Sequence, residues 1–352
     1  MAKSTAKKKP KTRRINLALQ GGGAHGAFTW GVLDRLLEEP DLEIAAISGT
    51  SAGALNGAAV KSGLAAGGAA AAQDNLTWFW EQLGAIDDPR FLPWLEAVSP
   101  AAVSGMIEMS LPFAVADGIT RVVSPYDSGV FYSNALHPIV SKLHYDTICG
   151  EAGPRLAICA TNVRSGKIRV FEGDDITPEA LMASACLPTI YRAVEIDDPA
   201  TGQTEAYWDG GYTGNPALFP LFRNDLPDDI VIININPLYR GDLPTTAREI
   251  QNRINEISFN SSLLRELRAI AFVKRLIAEE RMPRGQMKDM HIHMIADDSL
   301  MAQLSVATKL VPTPQVLHQL RKAGHNAAEH FLSEHGGAIG HHSSVDLPAM
   351  FD

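Results

Sequence analysis

The chain of 352 residues has only three cysteines, Cys149, Cys159 and Cys186. So few, and an odd number, exclude a disulfide framework and predict reduced thiols. No run of about 18 or more apolar residues occurs, so no spanning helix is expected. Nor does an apolar stretch of about 7–15 residues follow the basic N-terminus, so no secretory signal is read. H-E-x-x-H is absent, and neither His291 with His293 nor His341 with His342 has a third ligand at a recognised spacing. No metal is expected.

Cations are also scarce outside one place. Acids exceed bases by 40 to 31, a net charge of −9. Yet Lys3, Lys7, Lys8, Lys9, Lys11, Arg13 and Arg14 crowd the first 14 residues with no acid among them. Residues 1–14 therefore read as a disordered basic tail on an acidic body, suited to solubilisation or to anionic lipid. The acidic body would repel phosphate, which argues against nucleic acid.

What the sequence does contain is a serine at a sharp turn. Ile44-Ala45-Ala46-Ile47 reads as a buried strand and Ala54 to Val60 as a helix, with Gly49-Thr50-Ser51-Ala52-Gly53 between them. Gly49 and Gly53 remove Cβ atoms that would clash in such a turn. A helix N-terminus beside Ser51 would stabilise developing negative charge. One unit earlier, the strand-like Ile15 to Leu19 runs into Gln20-Gly21-Gly22-Gly23-Ala24-His25-Gly26 and then a helix over Ala27 to Leu37. Such a loop exposes backbone N–H groups to an anion, either a dinucleotide pyrophosphate or an ester oxyanion. Gly21-x-Gly23-x-x-Gly26 fits the dinucleotide fingerprint, which also wants an acid closing the second strand. That strand instead ends in Ser48-Gly49 and delivers Ser51, while Glu43 lies at its wrong end. The oxyanion reading accounts for both glycine motifs with one reaction. A base is still needed, and Tyr207-Trp208-Asp209-Gly210-Gly211 offers Asp209, although Asp-Gly alone is an ordinary turn.

Gly21-Gly22-Gly23-x-x-Gly26, Gly49-x-Ser51-x-Gly53 and Asp209-Gly210-Gly211, in this order, resemble the patatin-like phospholipase family, as does Ala183-Ser184-Ala185-Cys186-Leu187-Pro188. The resemblance runs from about Ile15 to Phe222. It implies a three-layer α/β/α fold with a mainly parallel central sheet, and a Ser–Asp dyad with Ser51 as nucleophile and Asp209 as proton acceptor. N–H groups of Gly21, Gly22 and Gly23, with that of Ala52, would form the oxyanion hole. Gly26, Gly49, Gly53, Gly210 and Gly211 are the remaining motif glycines. The implied activity is hydrolysis of carboxylic esters of phospholipids or related acyl esters, without a cofactor. A short ester, a thioester or a polyester would suit the same mechanism, and a nucleotide-binding regulator using the glycine loop is the alternative from another class. His25 departs from the pattern, since the family's loop often carries Arg or Lys there.

The rest of the chain reads more coarsely. A catalytic domain is expected over 15–222, with a Gly-Ala linker from Gly63 to Ala72 after the nucleophile helix and another helix over Gln73 to Leu83. Within it, residues 86–130 combine Pro89, Pro93, Pro100, Pro112 and Pro125 with large apolar side chains. This reads as a cap that could line an acyl groove, or as a buried excursion covering core. Leu156 to Ala160 and Ile168 to Phe171 read as a hairpin, and Asp229 to Ile235 as a buried strand. Beyond these lie helical patterns at Thr245 to Ile257, Ser261 to Glu280 and Pro314 to His335, so 223–340 is expected to pack on the core and 341–352 to be a loose tail. The expected setting is the cytoplasm, with peripheral contact at a membrane or lipid surface.

Overall fold

Two strand–turn–helix units set the frame of the computed structural model, which describes residues 12–120, 122–127, 134–283 and 285–351. Strand β1 (Arg13–Leu19) leads through the glycine loop into α1 (Gly26–Leu37), and β2 (Leu42–Thr50) leads through Ser51 into α2 (Ala52–Gln82). The two strands run parallel, with Leu17 beside Ile47. Strand β1 starts earlier than expected, because Arg13 and Arg14 belong to it rather than to a tail. The Arg13 guanidinium bonds Asp41 at 3.1 Å and that of Arg14 bonds Glu43 at 2.8 Å. These pairs with acids beside and within β2 hold both arginines at the start of β1. Residues 1–11 of the expected tail lie outside the described residues.

Helix α2 corrects a second expectation. The Gly-Ala stretch is helical, since alanine is the best helix former, and the chain breaks only at Gly68 (φ 78°, ψ −157°). The second half then returns along the first, so that a Cβ on Gly63 would stand 2.3 Å from Ala72 Cα. Trp80 Nε1 donates to Asn56 Oδ1 at 2.9 Å across this hairpin. Prolines in the next stretch start helices rather than interrupt them: α3 (Leu92–Leu95), α4 (Pro100–Met109) and α5 (Leu111–Thr120) each carry one in the first turn. The apolar helices α4 and α5 meet at 61°, and no single helix among the described residues is long and apolar enough to cross a membrane. Residues 121 and 128–130 of the expected cap lie outside the described residues.

Two short helices, α6 (His137–Val140) and α7 (Tyr145–Cys149), precede β3 (Arg155–Asn162) and β4 (Ile168–Glu172), which pair antiparallel as the hairpin pattern predicts. Helix α8 (Pro178–Ser184) and strands β5 (Val194–Asp198) and β6 (Gln203–Asp209) follow. Next come β7 (Asp229–Asn234), α9 (Ala247–Ala278) and β8 (His291–Ala296). The last elements are α10 (Asp298–Met301), α11 (Val306–Leu310), α12 (Pro314–His335) and α13 (Leu347–Phe351). Helix α9 merges the two expected helices at Thr245–Ile257 and Ser261–Glu280. Thr246 and Glu249 close a capping box at its start, and Asn260, at the expected break, is held by the Asn236 and Pro237 carbonyls.

The sheet has the order β5-β6-β3-β2-β1-β7-β8, with β4 also on β3. The β3-β2-β1-β7-β8 part is parallel, and β4, β5 and β6 are antiparallel additions. Along β1 and β7, side chains alternate between two apolar layers. Leu17, Leu19, Val231 and Ile233 meet α1, α2 and α12 on one face; Ala18, Ile230 and Ile232 meet α9 and α13 on the other. Both faces are covered, which is why these strands read as near-continuous apolar runs. Helix α12 crosses α1 at van der Waals contact through two glycines. A Cβ on Gly31 would stand 1.8 Å from the Arg321 carbonyl oxygen, and one on Gly324 would stand 2.0 Å from that of Phe28.

Candidate active site

The C-terminal ends of the parallel strands β1, β2 and β7 converge on one spot, where open α/β sheets gather their functional groups. There Ser51 adopts φ 55° and ψ −123°, a backbone state that non-glycine residues rarely occupy. The strain is held by hydrogen bonds that run through the end of α8 to strand β3. Ser51 N–H donates to Ser184 Oγ at 2.9 Å, and Ser184 Oγ donates to the Cys159 carbonyl at 2.7 Å. The serine side chain makes no capping bond to helix α2, so its hydroxyl is left to other uses at the positive end of that helix. Gly49 and Gly53 are forced by their surroundings: a Cβ on either would lie within 2.6 Å of a backbone oxygen.

Asp209 ends β6 and reaches the same spot, fully buried. Its N–H donates to the Cys186 carbonyl at 2.8 Å, and its own carbonyl accepts from Thr161 Oγ1 at 2.8 Å. Carboxylate Oδ1 accepts from Gly211 N–H at 2.7 Å. Oδ2 forms no hydrogen bond, although the Ser51 hydroxyl is close enough to favour the charged carboxylate. Burial dominates, and the pKa is pushed up to about 7, with the Gly211 N–H and the Ser51 hydroxyl opposing it. A carboxyl group titrating there is a far better proton acceptor at neutral pH than one near 4. Gly210 and Gly211 permit the approach, since their Cβ atoms would meet the Cys159 carbonyl at 2.2 Å and the Phe259 ring at 2.4 Å.

The glycine loop lies directly against the serine: a Cβ on Gly21 would stand 2.6 Å from Ser51 Cβ, and one on Gly26 would stand 2.7 Å from Ala52 Cβ. Gly21 N–H donates to Asn215 Oδ1 at 2.6 Å and is therefore committed within the fold. The Gly21 carbonyl accepts from Asn236 Nδ2 at 2.9 Å and from Asn215 Nδ2 at 3.3 Å. Gln20 ties these anchors together, donating to Asn260 Oδ1 at 3.0 Å and accepting from the Ile235 and Asn236 N–H groups. Ser184 lies in the Ala183–Pro188 segment, whereas Asn215, Asn236, Asn260 and Gln20 carry no recognised motif. The signal available for Gln20 and Asn236 is positional, since they sit just past buried strands where buried amides serve to hold backbone; Asn260, midway along α9, offers none.

His25 is enclosed in this loop. Thr308 Oγ1 donates to the Ser305 carbonyl, so it accepts from His25 Nε2 at 2.8 Å, and Nδ1 is the bare nitrogen without a partner. Burial, with Lys309 and Arg240 nearby, holds its pKa well below the usual range. The imidazole is neutral at physiological pH and does not stand in for a basic residue. The paired histidines of β8 are equally explained without a metal: His293 Nε2 and His291 Nδ1 face Asp229 at 3.0 and 3.4 Å. Among the described residues no group of three His, Cys, Asp or Glu side chains gathers as a metal would require.

The family model for patatin-like phospholipase matches residues 17–222, more than half of the chain and all of the motifs above. The chain belongs to the patatin-like phospholipase family. Lipid hydrolysis is the activity that goes with this family at the coarse level. Among solved structures, VipD from Legionella pneumophila is similar at 13% identity over 93% of this chain and 67% of that one, with a TM-score of 0.41. ExoU from Pseudomonas aeruginosa, crystallised with SpcU, is similar at 16% identity over 97% of this chain and 76% of that one, with a TM-score of 0.28. At scores this low the likeness carries no argument about function. No curated protein matches the chain in sequence. In this patatin-like chain the matched span holds Ser51, Asp209 and the glycine loop, whereas Asn236, Phe259, Asn260 and Lys309 come from beyond it.

Proposed function

We propose that this patatin-like protein is a lipid acyl hydrolase that cleaves carboxylic esters of phospholipids through Ser51 and Asp209. Ser51 Oγ attacks the ester carbonyl carbon while its proton passes to Asp209 Oδ2. The carbonyl oxygen becomes an oxyanion facing the N–H groups of Gly22, Gly23 and Ala52; Gly21 allows the close approach while its own N–H holds Asn215. As the tetrahedral intermediate collapses, the ester C–O bond breaks and the departing alcohol takes the proton from Asp209. Water then attacks the acyl-serine, with Asp209 accepting its proton; the C–Oγ bond breaks, the proton passes from Asp209 to Ser51 Oγ, and the free acid leaves. The observation that carries this reading is a serine with a strained backbone and an uncapped hydroxyl, close to a buried carboxylate whose Oδ2 has no hydrogen-bond partner. A nucleotide-binding loop has no use for that pair.

The substrate would be met at a lipid surface from the cytoplasmic side. Met109, Leu111, Val115 and Ile119 on α4 and α5 are exposed, with Met109 88% and Leu111 75% accessible, and their side chains suit insertion among acyl chains. A fluorophosphonate probe tests the chemistry. It should label the wild type and leave Ser51→Ala unlabelled, with phospholipid hydrolysis lost in parallel. Labelling or turnover retained in Ser51→Ala would remove the nucleophile and the reading with it.

A further inference from the structure

The glycine loop is gripped from a segment that the family match does not reach. Helix α11 places the Lys309 carbonyl against Gly23, so closely that a Cβ there would lie 2.4 Å from it, and Gly23 itself has φ 58°. The side chain of the same residue turns back toward the loop. Its ammonium donates to Asn236 Oδ1 at 2.7 Å, and that oxygen lies 3.8 Å from the place of a Cβ on Gly22. Lys309 is half-buried. Asn236 carries the contact onward, since its Nδ2 donates to the Gly21 carbonyl at 2.9 Å.

Gly21 C=O and Gly22 N–H are the two ends of one peptide group. A donor pulling on that oxygen makes the N–H a stronger donor, and a chain of such bonds polarises cooperatively. His25 cannot supply the pull, because it is neutral and bonded to Thr308.

We propose that Lys309 is the positioning cation of the oxyanion loop, acting through Asn236 and the Gly21–Gly22 peptide on an oxyanion it does not touch. This rests on the reading of Gly22 N–H as an oxyanion donor. The charged groups facing the ammonium are Glu256 on α9, which favours its charge and is itself paired with Arg240 and Arg253, and Arg240, which opposes it. Burial outweighs Glu256 and lowers the Lys309 pKa to about 8. The cation is present below that pH and is lost as pH rises through it, so the relay weakens on the alkaline side.

The test is steady-state hydrolysis of p-nitrophenyl butyrate from about pH 6 to 10 by wild type, Lys309→Gln, Lys309→Arg and Ser51→Ala. Lys309→Gln should lose at least about tenfold in kcat with KM within about twofold, as expected when an interaction matters mainly in the transition state. Lys309→Arg should restore most of kcat and move the alkaline limb upward, because a guanidinium keeps its charge there. A purely structural lysine would not tie that limb to the residue's own titration. Wild-type kcat in Lys309→Gln, or an unmoved alkaline limb in Lys309→Arg, overturns the relay. Should Lys309→Gln fail to fold, the limb in Lys309→Arg decides alone. Turnover by Ser51→Ala would overturn the dyad itself, whereas an inactive Ser51→Ala beside an unimpaired Lys309→Gln overturns the relay only.

Discussion

The two parts of this chain contribute differently to one site. Residues 17–222 supply the groups assigned to bond making, Ser51 and Asp209, in turns so tight that their glycines admit no Cβ. The later residues supply holders: Asn236 and Lys309 on the glycine loop, Phe259 against Gly211, and Ser262, whose hydroxyl accepts from Asn215 N–H at 3.0 Å. Reacting groups need particular chemistry at particular spacings and leave a motif. Holders need only reach a backbone atom, and many residue types on many elements can do so.

The largest expected effect lies on the reacting side. Asp209→Asn should lower kcat by about 10⁴, since an amide cannot accept the serine proton, and wild-type kcat/KM should rise with pH through about 7 as the carboxyl ionises. The same change should raise stability. A carboxyl whose folded pKa is raised costs stability above its unfolded pKa near 4, increasingly up to about 7. Thermal unfolding at pH 8 should therefore favour Asp209→Asn by a few kcal/mol, on the order of the shift, and the gain should vanish near pH 3. An active or a destabilised variant at pH 8 would place Asp209 among the holders instead.

A holder should cost less. Asn236→Ala should reduce kcat by about 10–10² through displacement of the Gly21–Gly22 peptide, while Ser51 keeps reacting with a fluorophosphonate. Equal loss in both assays would erase the distinction. Gly324→Ala should leave kcat per folded molecule intact and destabilise the fold by about 1–3 kcal/mol, because α12 must move off α1; unfolding by urea measures it. The smallest effect is expected at the mouth. Leu111→Ser with Val115→Ser should lower hydrolysis of phospholipid vesicles several-fold and leave p-nitrophenyl butyrate hydrolysis unchanged. Equal loss on both substrates would mean that α5 supports the site rather than the encounter with lipid.

These differences also explain what could be read from the sequence. Ser51 was legible because glycines at Gly49 and Gly53 bracket it between a strand and a helix. Strands β1, β2 and β7 were legible because burial on both faces makes them apolar throughout. The sequence of α9 reads as two helices because Ser258, Asn260 and Ser261 are weak helix formers, and the tertiary contacts of Asn260 override that preference. The Gly63–Ala72 stretch reads as a linker because its glycines look like breakers, whereas Gly63 is small to admit Ala72. Arg13 and Arg14 look like part of the tail, since only the fold brings Asp41 and Glu43 to them. Lys309 was invisible for the same reason, as no local pattern says which loop a lysine will meet.

The pairing of β1 with β7 has a consequence for the order in which this protein comes into being. A ribosome delivers β1 and the serine turn long before β7, β8 and α11. Until then one edge of β1 has no neighbour, and the loop beside Ser51 lacks Asn236 and Lys309. Non-local pairing of this kind closes late. A nascent chain would thus carry Ser51 beside an unsupported loop until β7 and α11 are made. Strand order alone thus delays the assembled site until β7 and α11 have joined it.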